Sequence, residues 1–178
     1  MVGNKYKFGL ILGRFNPLHI GHEYLINYAL SRCDKLLVFV GSANKEGTIE
    51  NPFSYKERAE MLKIVFKDKI IVAPLNDLGI GNVSSWGDYL INSALKYIPS
   101  VDVFFYGDEE KCHQWFSKEA GNHIKFDIIS RKIIDIHGKD IRKFIIDNDE
   151  ESFKIYTNKA IHSMYPQLRN KMLYIINK

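Results

Sequence analysis

Five short apolar runs, separated by longer segments of helical periodicity, constrain this chain more than any other feature. The runs fall at 7–12, 35–40, 69–73, 101–106 and 125–129, and several are almost unbroken Ile, Val, Leu and Phe. A strand wetted on one face alternates apolar with polar residues, whereas a strand covered on both faces need not. Between the runs, 23–31 places Leu25, Ile26, Ala29 and Leu30 on one side. Segment 55–66 carries Met61, Leu62, Val65 and Phe66 behind a capping box of Ser54 and Glu57. Helices are also expected over 85–97 and 108–118. Alternating strands and helices predict an α/β fold, a doubly wound and mostly parallel five-stranded sheet. After 129 the pattern turns helical, through 138–147 and two shorter helices to 176, with Tyr165-Pro166 at the break between those two. We therefore expect a single domain over 1–178, with an α/β core at 1–135 and a helical C-terminal part at 136–178.

A chain of 178 residues can bury one sizeable core. Its 46% hydrophobic and 26% charged residues are ordinary for a soluble globular protein. The net charge of +4 is spread along the chain, which suits an anionic small molecule and argues against nucleic acid, where a basic stripe is needed. No apolar run approaches membrane-spanning length, and the first residues lack the apolar core of a signal peptide. Cys33 and Cys112 match no metal spacing and read as reduced, small apolar residues, so a cytoplasmic location without membrane attachment is expected.

The chemistry concentrates at 13–22, Gly-Arg-Phe-Asn-Pro-Leu-His-Ile-Gly-His. An apolar run ends just before it and a helical pattern starts near Gly21. A strand, a tight polar turn and a helix N-terminus thus meet within ten residues, with His19 and His22 where the helix begins. Exposed backbone amides and the positive end of the helix dipole suit a polyphosphate there. Imidazoles add donors that strengthen as charge builds on phosphate oxygens, and Arg14 adds a planar cationic fork. A second cluster, Ile136, His137, Gly138, Lys139, Asp140, Ile141 and Arg142, opens another helix whose amides can hold β- and γ-phosphates.

The first string resembles the G-x-F-x-P-x-H-x-G-H signature of the HxGH nucleotidyltransferases, and with Gly-Arg-Phe in front it is similar to the nicotinamide-nucleotide adenylyltransferases of the archaeal-type branch. The second cluster resembles the family's I-S-x-T-x-I-R signature. Ile136, Gly138, Ile141 and Arg142 match it, while His137 stands for the usual Ser and Lys139 for the usual Thr. The resemblance implies a Rossmann-like fold and adenylyl transfer from ATP, with Mg²⁺, to nicotinamide mononucleotide, and it implies a homo-oligomer. It implies catalytic roles for His19, His22 and Arg14. It places ATP against Gly13, Arg14, Phe15, His19, Gly21, His22, Gly107, Ile136, His137, Gly138, Lys139 and Arg142.

Other matches carry the mononucleotide. Gly41-Ser42-Ala43 is similar to the family's strand-end turn, and Glu50-Asn51-Pro52-Phe53 with Glu57-Arg58 resembles its E-N-P-F-x-x-x-E-R segment. Asp77 and Trp86 bracket the loop that holds nicotinamide in the family, Trp86 stacking on the ring. Arg131 resembles an Arg preceding the second signature. Ser42, Asn51, Arg58, Asp77, Trp86 and Arg131 thus form the expected acceptor set. Two of them have plainer readings: Trp86 as ordinary core and Arg58 as a helix-surface charge. His113, His123 and His162 read as structural or solvent-exposed. A related transferase with another phosphate acceptor (a cytidylyltransferase, a pantetheine-phosphate adenylyltransferase or an FAD synthetase) stays open, as does a nucleotide-sensing domain without turnover.

Overall fold

The computed structural model describes residues 5–81, 83–108 and 114–178. Five strands form one parallel sheet: β1 (Tyr6–Gly13), β2 (Cys33–Val40), β3 (Ile71–Pro74), β4 (Val103–Gly107) and β5 (Lys125–Ile129). Their spatial order is β3-β2-β1-β4-β5. The chain runs outward from β1 to β3, then crosses back to place β4 on the other side of β1. That reversal makes the carboxyl end of the β1–β4 pair the topological switch point, where open α/β sheets bind ligands.

The unbroken apolar runs have the cause expected of them. In β2, Leu36, Val38 and Val40 join one buried cluster while Leu37 and Phe39 join another on the opposite face. In β4, Val103 and Phe105 divide from Phe104 and Tyr106 in the same way. One face is covered by α1 (Ile20–Leu30) and α2 (Tyr55–Phe66), the other by α3 (Ser84–Ala94). The C-terminal helices α5 (Gly138–Ile146), α6 (Glu150–Tyr156) and α7 (Tyr165–Ile176) extend the first layer. Their Ile141, Phe153 and Leu168 share a cluster with Ile26 and Leu62.

Local chemistry sets the boundaries. α2 spans the expected residues because its capping box forms: the Ser54 hydroxyl accepts from the Glu57 amide at 3.3 Å, and the Glu57 carboxylate accepts from the Ser54 amide at 2.7 Å. Lys171 of α7 donates to the same carboxylate. Burial opposes ionisation of Glu57, but Lys171 and the Ser54 donors outweigh it and hold its pKa below the usual value. Tyr165-Pro166 opens α7, where Pro fits the first turn.

The helix expected over 108–118 differs. Residues 109–113, which include Cys112 and His113, lie outside the described residues, and a short helix, α4 (Lys118–Gly121), begins only where the expected one ends. The Trp115 carbonyl accepts from the Gly87 amide at 2.8 Å, so it serves the first turn of α3 rather than a helix of its own. A Cβ on Gly87 would lie 1.9 Å from that carbonyl oxygen, so only glycine allows the approach.

Cys33 is buried, donates to the Ala29 carbonyl, and burial pushes its thiol up to about 11, so it is protonated at neutral pH. His162 faces the Thr157 carbonyl at 3.2 Å, and His123 is exposed. Among the described residues no helix is long and apolar enough to cross a membrane.

Candidate active site

A pocket of about 340 Å³ opens at the switch point. It is built from three segments that meet only in the fold: the end of β1 with its turn into α1, the end of β4 at Tyr106 and Gly107, and the N-terminus of α5. Both sequence clusters therefore face one cavity. Gly13, Arg14, Phe15, His19, His22, Gly107, His137, Gly138, Lys139 and Arg142 all line it. Among the described residues that line it are Arg14, Lys139 and Arg142 but no Asp or Glu. Such a rim favours an anion.

The turn is folded tightly around its own side chains. Phe15 is buried at a φ of 50°, a region where a bulky residue is strained. Its ring packs on His22 with centroids 4.8 Å apart. The His19 and His22 imidazoles stack with centroids 3.7 Å apart and planes 28° apart. A Cβ on Gly13 would sit 2.7 Å from the Phe15 ring, so this turn needs glycine at the strand end. His19 is the N-cap of α1 in extended conformation, and its carbonyl accepts from the His22 and Glu23 amides. The Ile20 and Gly21 amides come earlier in the helix and have no intrahelical acceptor.

The α5 N-terminus docks directly on this turn. Arg142 donates through Nη1 to the Asn16 carbonyl at 2.8 Å. A Cβ on Gly138 would lie 3.2 Å from the same oxygen. Burial lowers the Arg142 pKa from its ordinary value, and the neighbouring Arg14 charge lowers it further. Two guanidinium groups held close together form a strong anion site.

Asn16 was not among the expected site residues, although it lies inside the motif. It is 4% exposed, and besides receiving Arg142 it accepts from the Phe53 amide at 3.3 Å and reaches Asn51 at 3.5 Å. Asp140 was also missed. Its carboxylate accepts from the His137 amide at 2.9 Å and caps α5, a pairing that the N-cap to N3 spacing encodes.

Other expected positions sit differently. Ile136 is buried in the core rather than facing the pocket, because its run is needed to seat α5 on the sheet. Gly21 lines a side slot of about 20 Å³ with Leu25, Gly107, Ile129 and Ile134. Of the expected acceptor set, Ser42, Asn51, Arg58, Asp77 and Trp86 are not among the described residues that line the main pocket. Ser42 is in the turn after β2 at a φ of 47°. Asp77 is ion-paired to Lys45 at 2.6 Å, and its backbone exchanges hydrogen bonds with the Asn44 side chain. Lys45 and the Gly79 amide hold the Asp77 carboxylate below the usual range.

Trp86 is half-buried and packs on Tyr89 and Trp115, with centroids 5.4 and 6.3 Å away. Arg58 is neither a surface charge nor a group open to ligand: it is 0% exposed with its donors on backbone carbonyls. The side chain of Arg131 lies outside the described residues. Also among the described residues, no group of three or more His, Cys, Asp or Glu is placed to hold a metal.

Comparison with known proteins adds to this geometry. A family model described as Cytidylyltransferase-like matches residues 10–162. The nicotinamide-nucleotide adenylyltransferase of Sulfurisphaera tokodaii is 29% identical over 164 residues, 88% of this chain and 89% of that protein. The protein of the same name from Saccharolobus solfataricus is 36% identical over 103 residues. That match covers 54% of this chain, and the chain spans only 56% of the length of that relative. Among solved structures, a bifunctional NMN adenylyltransferase/ADP ribose pyrophosphatase from Francisella tularensis superposes with a TM-score of 0.76 at 16% identity. It covers 97% of this chain and 53% of that one, a likeness of fold. With its first signature at the head of a parallel-sheet switch point and its second on the helix that closes the pocket, the chain belongs to the cytidylyltransferase-like family.

Proposed function

We propose that this protein transfers the adenylyl group of ATP to nicotinamide mononucleotide, giving NAD and pyrophosphate. The observation that carries the reading is the cationic pocket in which the stacked His19 and His22 face the N-terminus of α5. The named relatives support the choice of acceptor. The chemistry is an in-line displacement. A 5′-phosphate oxygen of the mononucleotide bonds to the α-phosphorus, the bond from that phosphorus to the bridging β-oxygen breaks, and pyrophosphate takes the electron pair. No side chain need form a covalent bond, so catalysis rests on alignment and charge stabilisation.

In this reading the α1 N-terminus and the two imidazoles take the α-phosphate. Arg14, Lys139, Arg142 and the α5 amides take the β- and γ-phosphates. The side slot between Leu25 and Ile134 offers apolar walls beside the phosphates, suited to the edge of a flat base. In our reading the divalent cation is Mg²⁺, which arrives as part of the ATP substrate and keeps most of its waters. The domain that does this work is, in our reading, 1–178.

The test is to incubate the protein with ATP or CTP, Mg²⁺ and a panel of acceptors, and to identify the product by mass spectrometry. The panel holds nicotinamide mononucleotide, nicotinate mononucleotide, pantetheine phosphate and flavin mononucleotide. NAD from ATP is the expected product; a product formed only with another acceptor would overturn the assignment. Arg142→Ala is expected to raise the KM for ATP tenfold or more while leaving that for the mononucleotide nearly unchanged, as steady-state kinetics with each substrate varied would show. The reverse pattern would mean that the two halves of the site are assigned backwards.

A further inference from the structure

Arg58, in the first turns of α2, is buried with no carboxylate within ion-pair distance among the described residues. Its partners are carbonyl oxygens. Nη1 donates to Arg14 at 2.9 Å and to Gly41 at 2.7 Å, Nη2 to Ser42 at 3.0 Å, and Nε to Ser54 at 3.3 Å. One guanidinium thus ties the turn after β1, the turn after β2 and the N-cap of α2.

A buried cation is costly to desolvate, and an apolar side chain of similar volume often serves stability as well or better. What this cation gathers is therefore informative. Arg14 precedes Phe15, and both Phe15 and Ser42 hold positive φ angles, 50° and 47°. Such conformations persist only where surroundings over-determine them, and they cluster at functional sites. The arrangement also has a firm base, because the Glu57 box beside Arg58 is tied to Lys171 of α7. Burial first, and the Arg14 charge second, pull the Arg58 pKa down to about 10, so it stays charged at neutral pH.

We propose that Arg58 is a positioning residue: its guanidinium locks the β1 and β2 turns in register and so presents Arg14 to the polyphosphate. The proposal rests on the reading that a nucleotide triphosphate occupies the pocket. Arginine fits because its planar fork reaches several acceptors at once, whereas a lysine ammonium is a compact charge that cannot span the same oxygens.

The test is a double-mutant cycle on the whole protein, with inorganic tripolyphosphate binding read by calorimetry and ATP turnover read beside it. Arg58→Lys is expected to weaken tripolyphosphate binding at least tenfold and to raise the KM for ATP, with the KM for the mononucleotide changed less than twofold. Because the effect passes through Arg14, adding Arg58→Lys to Arg14→Ala should cost little beyond Arg14→Ala alone. Unchanged binding in Arg58→Lys, or losses that simply add, would overturn the proposal. If the lysine variant does not fold, Arg58→Met, which keeps volume without charge, is run through the same cycle; two unfolded variants would assign Arg58 to stability alone and overturn the proposal too. A wild-type protein that binds tripolyphosphate but makes no NAD would instead defeat the acceptor assignment and leave the cycle readable.

Discussion

His22→Ala is expected to lower kcat by about 10²–10³, the usual loss for one well-placed transition-state donor, while the KM for ATP moves little. The imidazole sits one turn into α1, between the Phe15 ring and the His19 ring, with centroids 4.8 and 3.7 Å away. It is held on both faces, so its nitrogens have a fixed direction relative to the helix N-terminus. In the proposed reading ground-state ATP is held by Arg14, Arg142 and Lys139, which is why affinity should survive. The donor matters most when negative charge gathers on the equatorial oxygens of the α-phosphorus. Because His22 is only half-buried, the variant should melt close to wild type. Steady-state kinetics with a thermal melt decides the matter: near-normal turnover in a folded variant would take this imidazole out of the chemistry.

Trp86→Ala is expected to cost about 3 kcal/mol of stability, the lower end for removing a large aromatic from a packed site. The indole packs tilted on Tyr89 and edge-on to Trp115. Each such pair contributes roughly 0.5–1.5 kcal/mol beyond the area it buries. The same contacts hold the segment whose Trp115 carbonyl serves α3, so the loss should spread to that end of the sheet. Urea unfolding measures it, and KM values for both substrates complete the comparison. If stability is unchanged and only the KM for the mononucleotide rises, the indole serves the ligand and not the core.

These two residues show what a sequence discloses. The turn holding His22 was legible because a strand end, a glycine and a helix start are adjacent in the chain, and short-range sterics dictate their arrangement. The α2 boundaries were legible for the same reason, since Ser54 and Glu57 satisfy each other's orphan donors three residues apart. The surroundings of Arg58 were not. Hydrophobic spacing reports which face of an element is covered, never which distant carbonyl a buried donor will meet. Arg58 reaches Arg14, 44 residues away, and nothing near Arg58 in the chain encodes that contact. The burial of Ile136 has a related cause: a signature match fixes where a segment lies, and an apolar side chain within it still turns to the core.

The parallel sheet also decides when this site can exist. Its two halves come from either side of the β1–β4 pair, whose register joins Gly9 to Val103 and Ile11 to Phe105. No hairpin can bring these strands together, because every neighbouring pair in a parallel sheet is separated by a crossover. Pairings so far apart in the chain pay their loop-closure entropy before any contact repays it, and they form late. The peptide from β1 through α1 carries both histidines, yet it lacks Gly107, Lys139 and Arg142 and cannot enclose a triphosphate. In the proposed reading, nucleotide capture is thus a property of the finished topology. A chain with only its first strands assembled would display the whole first signature and still, in the proposed reading, hold no triphosphate.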